Sequence, residues 1–174
     1  LDLLRQVSFP TAQTEEEKAV KAIQVHGMDI DGKEKNPQID EAYLLLGKAR
    51  YFDQRFVPAL EAFNYILYKY PASDKINQAK IWREKTNIRL ENEELAIKNL
   101  KRLLNQEVVE NQDLADATAI LAQAYINLKF IDSAITNLGI AANATKISEE
   151  EGRYRFIQGQ LYNAVGYKDK AILA

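Results

Sequence analysis

The sequence predicts an all-α fold in which pairs of helices stack into a solenoid. Along most of the chain the apolar residues recur at intervals of three and four, which is the spacing of a helix face. A short pattern centred on an alanine repeats, with alanines at positions 59, 96, 134 and 171, separated by 37, 38 and 37 residues. A fixed period in this range is typical of helical repeat proteins. The 7 glycines and 4 prolines are too few for the many tight turns of an all-β fold.

The first predicted element is a single helix near residues 14–26. Thr14 and Glu17 have the spacing of a capping box, which marks a helix start. A polar loop follows at 27–37. We therefore expect two parts: an N-terminal segment, 1–37, with one helix and this loop, and a repeat array, 38–174.

Local signals set the helix limits inside the array. Tyr70 before Pro71 indicates a helix end, and Ser148 with Glu151 forms a second capping box. The predicted pairs are 38–53 with 56–69, 75–90 with 93–105, 112–128 with 131–144, and 149–165 with a helix from 168 onward. The second pair fits the repeat least well, because Glu84 stands where a small residue is expected.

The repeat resembles the tetratricopeptide (TPR) motif. Its signature positions are matched in the first pair by Tyr43, Leu46, Gly47, Ala59, Phe63 and Pro71. In that resemblance Gly47 and Ala59 are small where two helices pack closely, and Phe63 fills the layer between repeats. The resemblance implies a right-handed superhelical solenoid of about four TPR-like helix pairs. The apolar run 171–174 has no capping residue, so we expect a fragment truncated within its last repeat.

In TPR proteins the first helix of each pair lines a concave groove, and the resemblance implies groove positions at fixed distances before each repeated alanine. The predicted partner-binding residues are Lys48, Tyr51, Phe52, Lys85, Arg89, Gln123, Asn127, Gln160 and Asn163. Their cations favour acidic groups, and the two aromatic residues offer anchors for a bound segment. A solvated helix face is the alternative interpretation. The carboxylate clamp of chaperone-binding TPR proteins is not expected, because Leu44 and Lys48 replace its first lysine–asparagine couple.

Composition and motifs give no indication of catalysis. A net charge of −2 provides no electrostatic reason to expect nucleic acid, and no stretch approaches the ~18 apolar residues of a membrane span. The chain has no cysteine, and its one histidine, His26, stands at a helix C-terminus, where it interacts with the helix dipole. The segment 29–32 resembles part of a calcium loop, but Lys33 replaces a ligand. We expect no enzyme activity, no cofactor and no metal.

Beyond the repeat, three stretches resemble one family. Glu16–Gln24, His26–Met28 and Gln38–Tyr51 are similar to the TPR-containing gliding-motility and type IX secretion lipoproteins of Bacteroidota, the SprE/PorW family. The resemblance implies an outer-membrane lipoprotein that faces the periplasm and connects components of the secretion and gliding machinery. Its partners would be type IX secretion proteins of the outer membrane and periplasm. The lipid anchor would lie outside this sequence.

Two other functions fit the same repeats. A generic TPR assembly factor or co-chaperone would bind extended peptide segments in the same groove. In an enzyme, the repeats would be a regulatory appendage, and the catalytic residues would lie outside this sequence.

Overall fold

The structure, a computed structural model, describes residues 12–26, 39–106, 108–109 and 111–173. Within these ranges every regular element is an α-helix. The helices are α1 (Ala12–His26), α2 (Ile39–Phe52), α3 (Phe56–Lys69), α4 (Ile76–Arg89), α5 (Glu93–Gln106), α6 (Asn111–Asn127), α7 (Ile131–Ala144), α8 (Ser148–Ala164) and α9 (Lys168–Leu173). The predicted polar loop 27–37 lies outside the described residues.

The described residues form two compact units, which we call the N-terminal unit (12–90) and the C-terminal unit (91–173). The N-terminal unit holds α1 to α4, and the C-terminal unit holds α5 to α9. The division falls inside the second predicted pair, α4 and α5. The predicted boundary between an N-terminal segment and the array, at residue 37, stays a prediction.

The predicted helix limits agree with the observed limits to within two residues. The α3 helix ends at Lys69, and the N–H of Tyr70 closes it by bonding to the carbonyl of Ile66 at 2.8 Å. The stop signal before Pro71 is therefore confirmed. It succeeds because the residue before a proline avoids helical backbone angles.

Both predicted capping boxes are wrong. The α1 helix begins at Ala12, so Thr14 lies inside the helix rather than before it. The α8 helix begins at Ser148, and Ile147 before it forms no side-chain capping bond. Near that helix start the hydroxyl of Thr145 accepts a hydrogen bond from the N–H of Ile147 at 3.1 Å.

The turn between the two helices of a pair has a residue with positive φ in all four described pairs. These residues are Gln54 (62°), Glu91 (60°), Lys129 (65°) and Gly166 (87°). Each lies five residues before a repeated alanine. In three of the turns the N–H of the next residue bonds to the carbonyl five residues earlier, as in a Schellman motif: Arg55 to Arg50, Phe130 to Tyr125, and Tyr167 to Tyr162. The positive φ thus recurs even in the second pair, where the sequence repeat is weakest.

The repeated alanines are buried in the core of their units. Ala59, Ala96 and Ala134 are fully buried, and the residues four positions later on the same helix faces, Phe63, Leu100 and Leu138, are also 0% exposed. The second helices of the first three pairs therefore bury the same face.

In the N-terminal unit, α1 packs on α2 and α3. Ala19 joins Leu46 and Ala62 in a small apolar cluster. Beside it the Glu16 carboxylate accepts hydrogen bonds from Arg50, at 3.2 Å, and from Arg55. These contacts hold α1 against the first helix pair.

Glu84 is the residue that departs most from the repeat, and it is 1% exposed. Its carboxylate accepts hydrogen bonds from Nε of Arg83 and from Nδ2 of Asn87, the latter at 2.8 Å. A buried carboxylate needs such partners to offset its loss of hydration. The second pair therefore accommodates an acidic residue where a small one was expected.

In the C-terminal unit, α6 is buried around its whole circumference between residues 117 and 126. A helix enclosed on all sides belongs to a core rather than to a surface. The next layer is fixed by Gln158 of α8, whose Nε2 donates to the carbonyl of Ile135 in α7 at 3.0 Å. Gly139 leaves room for that amide, because a Cβ at this position would lie 3.0 Å from Nε2.

Candidate functional site

Four aromatic side chains pack together where α2, α3 and α4 of the N-terminal unit meet. The ring centroids of Tyr51 and Phe52 lie 5.5 and 5.8 Å from that of Trp82. The ring of Phe56 lies 5.5 Å from that of Tyr51. All three pairs have the edge-to-face or steeply inclined geometry that aromatic quadrupoles favour.

Three cations surround these rings. The ammonium nitrogens of Lys85 and Lys48 lie 4.3 and 5.2 Å from the ring centroid of Trp82. The guanidinium carbon of Arg89 lies 5.3 Å from the ring centroid of Phe56. All three distances fall within the ~6 Å range of cation–π attraction. Positive charge is thus concentrated on the first helices of two successive pairs, α2 and α4.

We call this group the cation–aromatic cluster; it consists of Lys48, Tyr51, Phe52, Phe56, Trp82, Lys85 and Arg89. It contains all five groove positions predicted for α2 and α4. Tyr51 and Lys85 are buried, at 5% and 7% exposed. Lys48 and Phe52 are half-buried, and Arg89 is exposed. The surface open to a partner is therefore Arg89 with parts of Lys48, Phe52, Phe56 and Trp82. Tyr51 and Lys85 hold the cluster together from below.

The predicted groove set omitted Trp82 and Phe56. Trp82, Lys85 and Arg89 are spaced by three and four residues, which places them on one face of α4, and this spacing was the available signal. The sequence gives no such signal for Phe56, because Phe56 reaches Arg89 through the packing of α3 against α4.

In the C-terminal unit, two predicted positions belong to a polar chain. Gln123 is 3% exposed, and its Nε2 donates to Oδ1 of Asn127 at 2.8 Å. Asn127 is exposed, and its Nδ2 donates to Oε1 of Glu93 at 2.8 Å. The chain links α5 to α6, so both amides have structural partners.

The other two predicted positions, Gln160 and Asn163, are exposed on α8 and line an open groove between α8 and α9. Phe156 and Ile172 line the same groove. The nine predicted residues thus occupy three places: the cation–aromatic cluster, the polar chain and the α8–α9 groove. Partner binding by these residues stays a prediction.

Neither a candidate metal site nor a candidate membrane-spanning helix is present among the residues that the structure describes. Among those described, no group of three or more histidine, aspartate or glutamate side chains is arranged to hold a metal ion. No described helix is both long and apolar enough to cross a membrane. His26 ends α1, but its side chain lies outside the described part of the chain, so its predicted contact with the helix dipole stays a prediction.

The fold is similar to that of MamA. Two solved chains, titled "MamA 41-end from Desulfovibrio magneticus RS-1" and "MamA RS-1 ArsTM double mutant", each match with a TM-score of 0.60 at 14% identity. Each match covers 95% of this chain, and 92% and 91% of the respective MamA chains. MamA is a TPR-like helical solenoid, so the likeness confirms the predicted all-α fold class of TPR-like helix pairs. No family model and no curated protein matches the sequence.

Proposed function

We propose that the chain is a non-catalytic scaffold that binds other proteins through the first helices of its repeats. The cation–aromatic cluster is the observation that carries this proposal. Lys48 lies over the ring of Trp82, which the half-buried ring of Phe52 also contacts, and Arg89 lies over the ring of Phe56. Such a surface suits a protein segment that carries carboxylates next to an aromatic or aliphatic anchor.

The arrangement of the helices supports a protein partner. Stacked helix pairs bury their apolar faces against each other and leave extended surfaces formed by successive first helices. In this chain α2 and α4 are two such helices, and both contribute cations to one cluster. An extended segment that crosses both helices would meet positive charge from each.

For the cellular setting we propose the type IX secretion and gliding machinery, with the chain as part of an outer-membrane lipoprotein that faces the periplasm. The support is the resemblance of Glu16–Gln24 and Gln38–Tyr51 to the SprE/PorW lipoproteins. In that setting the cluster would bind an acidic segment of another envelope component. The similarity to MamA supports the fold of a scaffold and gives no information about the cellular setting.

Affinity capture tests the setting. The tagged full-length protein is captured from its native membranes, and the proteins that accompany it are identified by mass spectrometry. Recovery of outer-membrane or periplasmic type IX secretion components is the expected result. Recovery of chaperones or soluble cargo without these components would overturn the setting and favour an assembly factor or co-chaperone.

A charge-reversal pair tests the cluster. Lys48→Glu with Arg89→Glu should weaken capture of the recovered partner about five- to thirty-fold, since each exposed charge contact is worth ~0.5–1 kcal/mol. The matched control is Lys69→Glu with Lys98→Glu, which makes the same change in net charge at two exposed helix positions. Undiminished capture by the cluster variant, with an unchanged circular dichroism spectrum, would refute the placement of the site.

A further inference from the structure

A pocket with a volume of about 410 Å³ lies where α1, α2 and α3 of the N-terminal unit meet. This volume is within the range of ligand pockets, ~300–1,000 Å³. All three helices contribute to its lining, so the pocket lies between helices that pack against each other within one unit. We call it the tyrosine pocket; its apolar lining consists of Val20, Ile23, Tyr43, Leu46, Ala62 and Tyr65.

The lining combines an apolar floor with an aromatic wall. Ala62 is 2% exposed and packs with Leu46, and the small alanine side chain leaves space above it. On one side the ring of Tyr43 stacks on the ring of Tyr65, with their centroids 4.1 Å apart. The opposite wall consists of two half-buried aliphatic residues of α1. Such surroundings suit an aromatic or aliphatic side chain that a partner inserts as an anchor.

The charges around the pocket leave one carboxylate without a partner. Arg50 lines the pocket, but its Nε donates to Glu16 at 3.2 Å and its Nη1 to a backbone carbonyl of α3 at 3.1 Å. Glu16 also accepts from Arg55, whose Nε donates to Asp53 at 2.7 Å. The two arginines and the two acids of this network cancel in charge. Glu61 also lines the pocket, and its exposed carboxylate forms no ion pair with the residues that the structure describes.

We propose that the tyrosine pocket is a second protein-binding site, which takes an apolar side chain of a partner segment that carries a lysine or arginine next to it. The apolar lining buries the anchor, and Glu61 pairs with the cation. Glu61 and Tyr65 are one turn apart on α3, so a cation that reaches the carboxylate also lies near the phenol ring. Cation–π attraction then adds to the ion pair. A segment with a carboxylate in the same place would meet Glu61 with nothing to offset the repulsion.

The tyrosine pocket and the cation–aromatic cluster lie on different faces of the same helix. On α2 the pocket is lined by Tyr43, Leu46 and Arg50, which are spaced by three and four residues. The cluster residues Lys48 and Phe52 lie on another face of α2. The N-terminal unit can therefore bind two segments of opposite charge at once. Because the two sites share no residue, failure of one leaves the other standing.

Peptide titration followed by NMR tests the pocket. The probes are three acetylated and amidated tetrapeptides: Ala-Phe-Arg-Ala, Ala-Phe-Glu-Ala and Ala-Ala-Arg-Ala. The methyl resonances of Val20, Ile23 and Leu46 report on the tyrosine pocket, and the indole resonance of Trp82 reports on the cation–aromatic cluster. The Phe–Arg peptide should shift the pocket methyl resonances until they saturate, and the peptide without the phenylalanine should leave them unshifted.

The Phe–Glu peptide should bind at the pocket about three- to ten-fold more weakly than the Phe–Arg peptide, since attraction to one exposed carboxylate is replaced by repulsion. Pocket methyl resonances that do not respond to the Phe–Arg peptide would overturn the proposal. Equal affinity of the two phenylalanine peptides at the pocket would overturn it as well.

Charge reversal at the rim tests the role of Glu61. In Glu61→Lys the order should invert, so that the Phe–Glu peptide binds at the pocket more tightly than the Phe–Arg peptide. The circular dichroism spectrum should stay unchanged, because Glu61 is exposed. Glu94→Lys is the matched control, since it makes the same change in charge at an exposed position of α5 and should keep the order of the parent chain. An unchanged order in Glu61→Lys would refute the pairing of Glu61 with the cation of the partner.

Discussion

The ring of Phe63 lies against the backbone of Gly47, so that a Cβ at residue 47 would stand 2.7 Å from Cζ of the ring. Phe63 is 0% exposed, and on its other side the ring centroid of Trp82 lies 6.3 Å away. The ring is thus held between α2 and α4. This confirms both predictions from the sequence: Gly47 is small where two helices approach, and Phe63 fills the layer between repeats.

The substitution Gly47→Ala should lower the free energy of unfolding. Overpacking a core costs roughly 1–3 kcal/mol, which exceeds the gain of at most ~1 kcal/mol from the better helix propensity of alanine. Denaturation by urea measures the change. Gly152→Ala is the control, because a Cβ at residue 152 meets nothing within 4 Å, so the better helix propensity of alanine should raise the free energy of unfolding. If Gly47→Ala is as stable as the parent chain, the contact with Phe63 is not close.

The helices were predictable because their signals are local and periodic. The repeated alanines reveal the buried face of α3, α5 and α7 without knowledge of the neighbouring helices. Capping was not predictable in the same way. At α8 the N–H of Glu151, which the predicted box assigns to the side chain of Ser148, bonds instead to the carbonyl of Ile147 at 3.0 Å. The sequence pattern does not show that the helix already includes Ser148.

The candidate site was predictable only in outline. Counting back from the alanines identified Lys48, Lys85 and Arg89, and the structure brings all three to aromatic rings. Their exposure was not predictable, because it depends on which side chains of other helices cover them. Lys85 is buried against Trp82, whereas Arg89, one turn later, is exposed.

The turns within the helix pairs share a residue with positive φ, so we predict that Gln54→Gly stabilises the chain. Gln54 has a φ of 62°, a conformation that costs a residue with a Cβ about 1–2 kcal/mol and glycine almost nothing. After the entropic cost of glycine, Gln54→Gly should gain about 0.5–1 kcal/mol. Asp53→Gly, at an exposed neighbouring residue without positive φ, should lose stability instead. Thermal unfolding of the two variants compares them directly, and a loss in both would contradict the turn geometry.

The Thr145 hydroxyl should contribute to the stability of the C-terminal unit. Its oxygen lies within hydrogen-bond distance of two acceptors for its proton, Oε2 of Glu150 at 2.8 Å and Oε1 of Gln112 at 3.2 Å, and it accepts from the N–H of Ile147 at 3.1 Å. Thr145→Val removes all of these bonds at nearly constant volume, and we expect a loss of about 1–2 kcal/mol by urea denaturation. Thr136→Val is the control, since the exposed Thr136 donates to the carbonyl of Asp132 in its own helix. An equal change in both variants would mean that the hydroxyl of Thr145 has no special role.

Tyr154 should make the chain less stable at alkaline pH. Burial raises the pKa of this phenol above its reference value of 10.0, and the nearby carboxylates of Glu150 and Asp116 raise the pKa further. As pH rises above about 10, the phenol ionises in the unfolded state but stays neutral in the folded state. The unfolded state then binds fewer protons than the folded state, so the free energy of unfolding falls with rising pH.

The variant Tyr154→Phe should therefore show a shallower loss of stability than the parent chain in urea denaturation from about pH 8 to about pH 11. Some loss should remain, because burial and the neighbouring Tyr65 also raise the pKa of Tyr43. Tyr68→Phe is the control, since that side chain is 80% exposed and its removal should leave the slope unchanged. Parallel pH profiles for Tyr154→Phe and the parent chain would show that the Tyr154 phenol is as hydrated in the folded state as in the unfolded state.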